Sequence, residues 1–218
     1  TALMLDGKTI EYEDKTFQVE AVMIPVRFDD FDQGLIERIL TPLMDQKHRI
    51  QLITTVSMGR KNFDLERFPG KRRSATISGN RNVITGASAT NPLIPLLNGE
   101  HHHGAEFVEF SLPVKLMQQA EGEFKINDNH TVTTLAKGEI SPQNLSELRN
   151  EVSVKGSGGS YLSNEISYRS IALRDKLNSS IAVGHIHTPR ITTFQTDVIE
   201  QTVTQITNML KIASTTFK

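Results

Sequence analysis

The hydrophobic pattern divides the first sixty residues into strand, helix and strand. Phe17 to Val26 alternates at first and then runs continuously apolar, as a strand does when both of its faces are covered. Asp29, Asp30 and Asp32 crowd the start of a helical pattern, where carboxylates favour the positive end of the helix dipole. Phe31, Leu35, Ile36, Ile39, Leu40 and Leu43 supply its apolar stripe at three- and four-residue spacing. Ile50 to Val56 predicts a second buried strand. Strand, helix and strand with short links mark a β-α-β unit in a largely parallel sheet.

Downstream the periodicity fades and returns. Ser57 to Gly104 scatters Gly, Asn, Arg and Pro with little regularity, and a loop this long in a compact domain is usually functional or disordered. Phe107 to Ala120 resumes regular structure, with Pro113 opening a helix. Glu121 to Gln143 is polar and reads as an insertion, a hairpin carrying Phe124, Ile126, Val132 and Leu135. Leu145 to Asn150 predicts a short helix and Glu151 to Lys155 a short strand. The turn Gly156-Ser157-Gly158-Gly159 lets the chain approach a neighbour closely. Ser163 to Leu177 then predicts a helix with Ile166, Ile171, Leu173 and Leu177 inward, and Ser179 to His187 another strand. A last helix starts at Thr196 or Asp197, with Ile199, Val203, Ile206 and Leu210 as its buried stripe. No repeat interrupts residues 1–218, which read as one domain.

Composition removes several function classes. A length of 218 residues suits a single core, and the net charge of −1 leaves no electrostatic footprint for nucleic acid or an anionic membrane. No apolar run approaches the roughly 18–20 residues of a spanning helix. Thr1 to Gly7 has neither the basic start nor the apolar stretch of a secretion signal. A cytoplasmic location is the default expectation. The missing initiator methionine is expected of a processed or cut chain. The absence of cysteine excludes a disulfide scaffold, a Cys-ligated zinc and thiol chemistry.

Three places combine reactive side chains with backbone punctuation: Met58-Gly59-Arg60 followed by Phe63 to Arg67, Gly159 to Tyr168, and Gly184 to Pro189. They offer a hydroxyl at a helix N-terminus (Ser163), an imidazole at a strand end (His187) and a carboxylate on a loop (Glu66), the parts of a nucleophile triad. Plainer readings stand beside this one. Ser163 suits an N-cap, His187 a strand-end histidine satisfied by a carbonyl, and Glu66-Arg67 an exposed pair. Tyr161 and Tyr168 suit core or pocket walls. His101-His102-His103 reads as a solvated loop without metal, because three adjacent histidines cannot readily face one ion. Lys71-Arg72-Arg73 reads as a solvated turn.

The spacing resembles the pyroglutamyl peptidase I family (pyrrolidone-carboxylate peptidases). That family has a G-x-x-x-C-N-x-x-x-Y motif, matched by Gly159 to Tyr168 except that Ser163 stands where the cysteine belongs. Its G-F-I-H-V-P motif is matched by Gly184 to Pro189, with His185 for Phe and Thr188 for Val. His187 follows Ser163 by 24 residues, as the family's histidine follows its cysteine. The family's G-G-R and E-R elements map onto Gly59-Arg60 and Glu66-Arg67, and its F-x-T-L-P-I-K segment resembles Phe110 to Lys115. The four segments occur in family order across nearly the whole chain.

The resemblance implies a three-layer α/β/α sandwich around a mixed, mostly parallel sheet. It also implies an omega peptidase that removes an N-terminal pyroglutamyl residue from peptides, with no cofactor. Ser163, His187 and Glu66 would be its catalytic residues, Tyr161, Leu162 and Val56 its substrate contacts, and a homo-oligomer its usual state. The departures are also informative. The family's first strand and its T-G-F-x-P-F-G loop have no counterpart, since Thr1 to Gly7 aligns only to the following helix. Val56 replaces a glutamine that contacts the ring. Arg72, Arg73 and Arg81 are equal candidates for the arginine of the family's D-A-R-I-P-D-N loop, and the insertion after Lys115 is about twenty residues longer than the family's. A hydroxyl is far less acidic than a thiol, so Ser163 would need His187 as a general base during attack. An inactivated Cys-to-Ser protein, a natural pseudoenzyme that binds capped peptide ends or a small lactam, and a working serine enzyme all fit these residues.

Overall fold

The computed structural model describes residues 2–45, 49–193 and 195–217. In chain order they form α1 (Ala2–Leu5), β1 (Thr9–Tyr12), β2 (Lys15–Gln18), α2 (Phe28–Asp32), α3 (Leu35–Met44), β3 (Leu52–Met58) and β4 (Phe63–Glu66). Short β5 (Leu96–Leu97) and β6 (Glu100–His101) precede α4 (Val114–Met117), β7 (Ile126–Asn129), β8 (Val132–Thr134) and β9 (Gly138–Ile140). A 3-10 turn (Leu145–Leu148), β10 (Ser153–Lys155), α5 (Leu162–Lys176), β11 (Ala182–Thr188) and α6 (Thr196–Ser214) complete the chain.

The central sheet has the order β3-β11-β4-β7. β11 runs parallel to β3 and antiparallel to β4, and β4 runs parallel to β7. Val183, Gly184, His185 and Ile186 are all buried, so both faces of β11 are covered, as expected for the inner strand of a sandwich. Helix α5 lies on β3 and β11, with α3 packed on α5, while α6 packs against α4 and β1. The mostly parallel sheet between helices is the predicted fold class. No described helix is long and apolar enough to cross a membrane.

Two predicted elements come out differently. The strand expected over Phe17 to Val26 ends at Gln18 in a two-stranded hairpin with β1. Beyond it the Ala21 amide donates to the Asp6 carboxylate rather than to a ladder, and Pro25 has no donor to offer. Val22 and Met23 are left exposed. The single helix expected from Asp29 to Leu43 is broken at Gly34, whose left-handed backbone (φ 72°) separates α2 from α3. The break frees Asp32, which binds Arg73 through both carboxylate oxygens.

The stretch Ser57 to Gly104 is a loop in outline only. Lys71 and Arg73 are buried and Arg72 half-buried, so the basic cluster is no solvated turn. Arg72 grips Glu106 with Nε and Nη2, while Lys71 Nζ lies 3.2 Å from the same carboxylate. The Ser153 amide and hydroxyl also donate to Glu106. Burial pushes the Glu106 carboxyl up, but Arg72, the Ser153 amide and Lys71 outweigh it and bring the pKa from 4.5 to about 2. A carboxyl depressed in this way stabilises the fold above its unfolded pKa, and the contribution disappears as pH falls toward its folded pKa. Between about pH 4.5 and 2 the protein is therefore expected to lose on the order of 2 kcal/mol through this group, after allowance for its partial exposure. Urea titrations of wild type and Glu106→Gln at pH 6 and pH 3 check this: the variant's stability should fall less over that interval, and an equal fall in both would remove Glu106 as the cause.

The remaining surprises are also polar. The His101-His102-His103 loop is not wholly solvated, because His102 turns inward, 3.6 Å from Glu37 and edge-on to Tyr168. Tyr168 is fully buried and donates to the Ala105 carbonyl, which makes it a core residue. The expected insertion does contain a hairpin, β8–β9, but its first strand, β7, joins the central sheet beside β4.

Candidate active site

Sheet register assembles the first half of the site. His187 lies opposite Asp64 across the antiparallel β11–β4 pair. Side chains alternate along a strand, so Glu66, two residues beyond Asp64, projects from the same face as His187. Glu66 Oε1 stands 2.6 Å from His187 Nδ1, and the two side chains are 2% and 12% exposed. With Glu66 ionised, Nδ1 carries the imidazole proton and the Nε2 lone pair is left to accept another. Glu66 is thus no exposed partner of Arg67, which instead pairs with Asp128 and Glu109. Burial raises the Glu66 pKa, against the lowering effect of the His187 hydrogen bond.

Beneath His187 the backbone comes unusually near. A methyl group on Gly59 would lie 2.6 Å from the His187 Cβ, so only glycine lets the turn after β3 pass there. The Gly59 amide donates to the Thr188 carbonyl at 2.8 Å, fixing that turn to the end of β11.

Asn129, at the end of β7 and paired in register with Glu66, is a site residue that the sequence did not mark. Its side-chain amide donates to Glu66 Oε2 at 2.8 Å and to the Ser157 carbonyl at 3.0 Å. This asparagine lies in the polar stretch that reads as a surface insertion, and nothing in its local pattern distinguishes it from a turn residue.

Ser157 leads to the second half. Its amide and hydroxyl exchange hydrogen bonds with the Phe68 carbonyl and amide, at 3.0 and 2.9 Å. Gly156 sits where any side chain would strike Asn164 Oδ1 at 2.0 Å and the Gly70 nitrogen at 2.2 Å. Asn164, in the first turn of α5, bonds both ways to Gly70: the Gly70 amide donates to Oδ1 and Nδ2 donates to the Gly70 carbonyl. The strand end bearing Glu66 and the helix start bearing Ser163 are thus bolted together through residues 68–70, 156–157 and 164.

Ser163 is the second residue of α5, whose N-cap is Tyr161, so it lies inside the helix rather than capping it. Its hydroxyl donates to the Gly158 carbonyl at 3.2 Å. Among the described residues His187 has no hydrogen bond to Ser163. Tyr161 packs edge-on against Phe28, with ring centroids 5.5 Å apart, and donates its hydroxyl to the Ser78 carbonyl. Burial raises the Tyr161 pKa, so the ring remains a neutral donor. Leu162 is buried beside it. Val56 falls elsewhere: it lies opposite Ile186, one residue out of phase with the Ser57–His187 pair, and therefore on the other face of the sheet.

Glu165, one turn into α5, anchors the helix from below. Arg73 Nε and Nη2 and Arg169 Nε all donate to its carboxylate, and Arg169 continues to Glu37 and the Leu96 carbonyl. Of the three arginines open as stand-ins, Arg73 is the one tied to the Ser163 helix, whereas Arg72 serves Glu106 and Arg81 pairs with Asp29 at the surface. The hydrophobic pattern registered only the apolar side of α5 and missed this buried polar face.

Comparison with known proteins places the fold. A structure of the pyrrolidone carboxyl peptidase from the hyperthermophile Pyrococcus furiosus, studied with its Cys-free mutant, superposes with a TM-score of 0.58 at 17% identity, covering 97% of this chain and 87% of that one. A point mutant of the same enzyme gives 0.59 at 17% identity, covering 99% and 88%. At these identities the likeness concerns the fold alone. An uncharacterised protein of Pseudomonas aeruginosa, PA0049, is 26% identical over 91% of this chain, which spans 48% of that protein's length. The family model described as "PA0049, C-terminal domain" matches residues 1–109 and 120–192. With most of its length matched by that model, the chain belongs to the PA0049 C-terminal domain family.

Proposed function

We propose that this chain is a hydrolase that removes an N-terminal pyroglutamyl residue from peptides, with Ser163 as nucleophile, His187 as general base and Glu66 as the group that orients and charge-balances the imidazole. The observation that carries the reading is the buried 2.6 Å bond from His187 Nδ1 to Glu66, which leaves Nε2 as the basic atom at the end of β11. In the reaction, Ser163 Oγ turns from the Gly158 carbonyl, transfers its proton to Nε2 and attacks the pyroglutamyl carbonyl carbon. The amides of Leu162 and Ser163, which open α5 without carbonyl partners among the described residues, stabilise the oxyanion. Collapse breaks the C–N bond, and the amine leaves with the proton from His187. Water, deprotonated in turn by His187, hydrolyses the acyl-serine and restores the hydroxyl. Tyr161 and Leu162 flank the lactam ring in this reading, and Val56 takes no part.

One observation favours a second reading. The Ser163 hydroxyl is satisfied by Gly158 and not by His187, the arrangement expected of a non-catalytic module that holds a capped peptide end or a small lactam. A fluorogenic pyroglutamyl amide, offered to wild type, Ser163→Ala and Ser163→Cys, separates the two. Hydrolysis predicts slow wild-type turnover, loss in the alanine variant and a gain of about a hundredfold with cysteine, whose thiolate is accessible at neutral pH. No turnover in any variant, with calorimetric binding of a pyroglutamyl peptide retained, supports the binding module. Neither turnover nor binding would overturn both.

A further inference from the structure

A second histidine stands against the first and takes no part in the chemistry above. His185 is fully buried, two residues before His187 on β11 and on the same face of the sheet. The two rings meet edge to face, with centroids 4.7 Å apart at 85°. Both nitrogens of His185 are bonded to hydroxyls of β3: Thr55 Oγ1 stands 2.7 Å from Nδ1 and Ser57 Oγ 2.9 Å from Nε2. Hydroxyls donate or accept, so a neutral ring is satisfied here at both ends. No carboxylate approaches either nitrogen among the described residues: of the two on this face, Glu66 is taken by His187 and Asp64 accepts from the Asn127 side chain. Burial first, and the neighbouring His187 second, hold the His185 pKa well below its ordinary value. A ring that resists protonation cannot compete with His187 for the proton in play.

His187 is thereby bounded on several sides. Glu66 holds Nδ1, the Gly59 backbone crowds its Cβ, and the His185 ring covers its flank. An imidazole with only Glu66 to hold it could pivot about that single bond. With the flank occupied by a ring that is itself pinned to β3, the pivot is blocked.

We propose that His185 is a positioning residue: pinned by Thr55 and Ser57, it acts as a fixed wall that keeps the His187 ring against Glu66. The inference deepens the hydrolase reading and rests on it for its consequence in turnover, though not for its consequence in the ring itself. Imidazole nitrogen NMR, assigned by substitution, reads the His187 tautomer directly. Wild type is expected to show one dominant form, protonated on Nδ1 with a slowly exchanging, strongly downfield proton. His185→Leu, which fills the space without a ring, should broaden or lose that signal and lower kcat about tenfold or more with little change in KM. His185→Phe, which restores an aromatic wall, should recover most of both. An unchanged His187 signal in folded His185→Leu overturns the proposal. Where that variant fails to fold, Ser57→Ala and Thr55→Val decide, since each removes one pin, and an unaltered signal in both overturns it equally. A wild type without turnover but with the expected NMR series sinks the hydrolase reading and leaves the positioning role intact. Turnover with a His187 signal indifferent to these changes does the reverse.

Discussion

Replacing Glu165 with alanine is expected to remove about 3–5 kcal/mol of folding free energy, measured by urea unfolding at pH 7. Glu165 is 2% exposed and accepts hydrogen bonds from both Arg73 and Arg169, the latter with no exposed surface at all. Removing the carboxylate leaves two guanidinium groups buried, Arg73 with Asp32 and Arg169 with Glu37 and, more distantly at 3.9 Å, Asp32 as remaining carboxylate partners. A charge taken from water and left without its partner costs far more than the pair contributes net, which is why removal of one member is the severe test. Domains of this size are stable by only about 5–15 kcal/mol, so the variant should unfold well below the wild-type midpoint. Glu165→Gln, which keeps the shape and part of the hydrogen bonding, should lose less. A loss below about 1 kcal/mol for the alanine variant would mean that water reaches the cluster and replaces the carboxylate.

Glu66→Gln is expected to cost roughly 10³–10⁴-fold in turnover of a pyroglutamyl amide, with KM little changed. The amide is nearly isosteric, so the bond to Asn129 and the packing can persist. What it cannot do is bear the negative charge that offsets an imidazolium on His187, and its NH₂ can donate to Nδ1 and impose the wrong tautomer. Stability should move the other way. Burial raises the Glu66 pKa, so the carboxylate costs folding energy as pH rises through that value. The glutamine variant should therefore match or exceed wild type in urea at pH 8 while being nearly inactive. Turnover within tenfold of wild type would remove Glu66 from the chemistry. A large loss of stability at pH 8 would mean that the charged pair itself holds the strand ends together.

Local pattern located most of the regular elements. The periodicity of Ser163 to Leu177 and of Thr196 onward predicts α5 and α6 to within a residue or two of their starts, and Ile50 to Val56 and Ser179 to His187 overlap β3 and β11. These segments bury apolar stripes, and a stripe is written in the spacing of the residues that form it. The break at Gly34 and the early end of β2 were not legible in this way. Each depends on whether a polar group finds a distant partner: the Asp32 carboxylate on Arg73, and the backbone of the extended run after Gln18 on a ladder that it does not meet.

For the site, sequence by itself determined which chemistry was on hand: a hydroxyl at the start of a helix, an imidazole at the end of a strand, a carboxylate after a glycine turn, and no thiol. Only the tertiary structure decided how they are used. The antiparallel register of β4 on β11 joined Glu66 to His187, and the β3 register turned Val56 to the other face and brought Thr55 and Ser57 to His185. Asn129, half-buried, and Glu165 and Arg169, buried, entered in the same way, as polar groups with partners far off in sequence. The physical reason is that apolar burial is non-directional and leaves a periodic trace along the chain. A buried hydrogen bond or ion pair is directional, and it exists only once two remote segments have been set at a fixed distance.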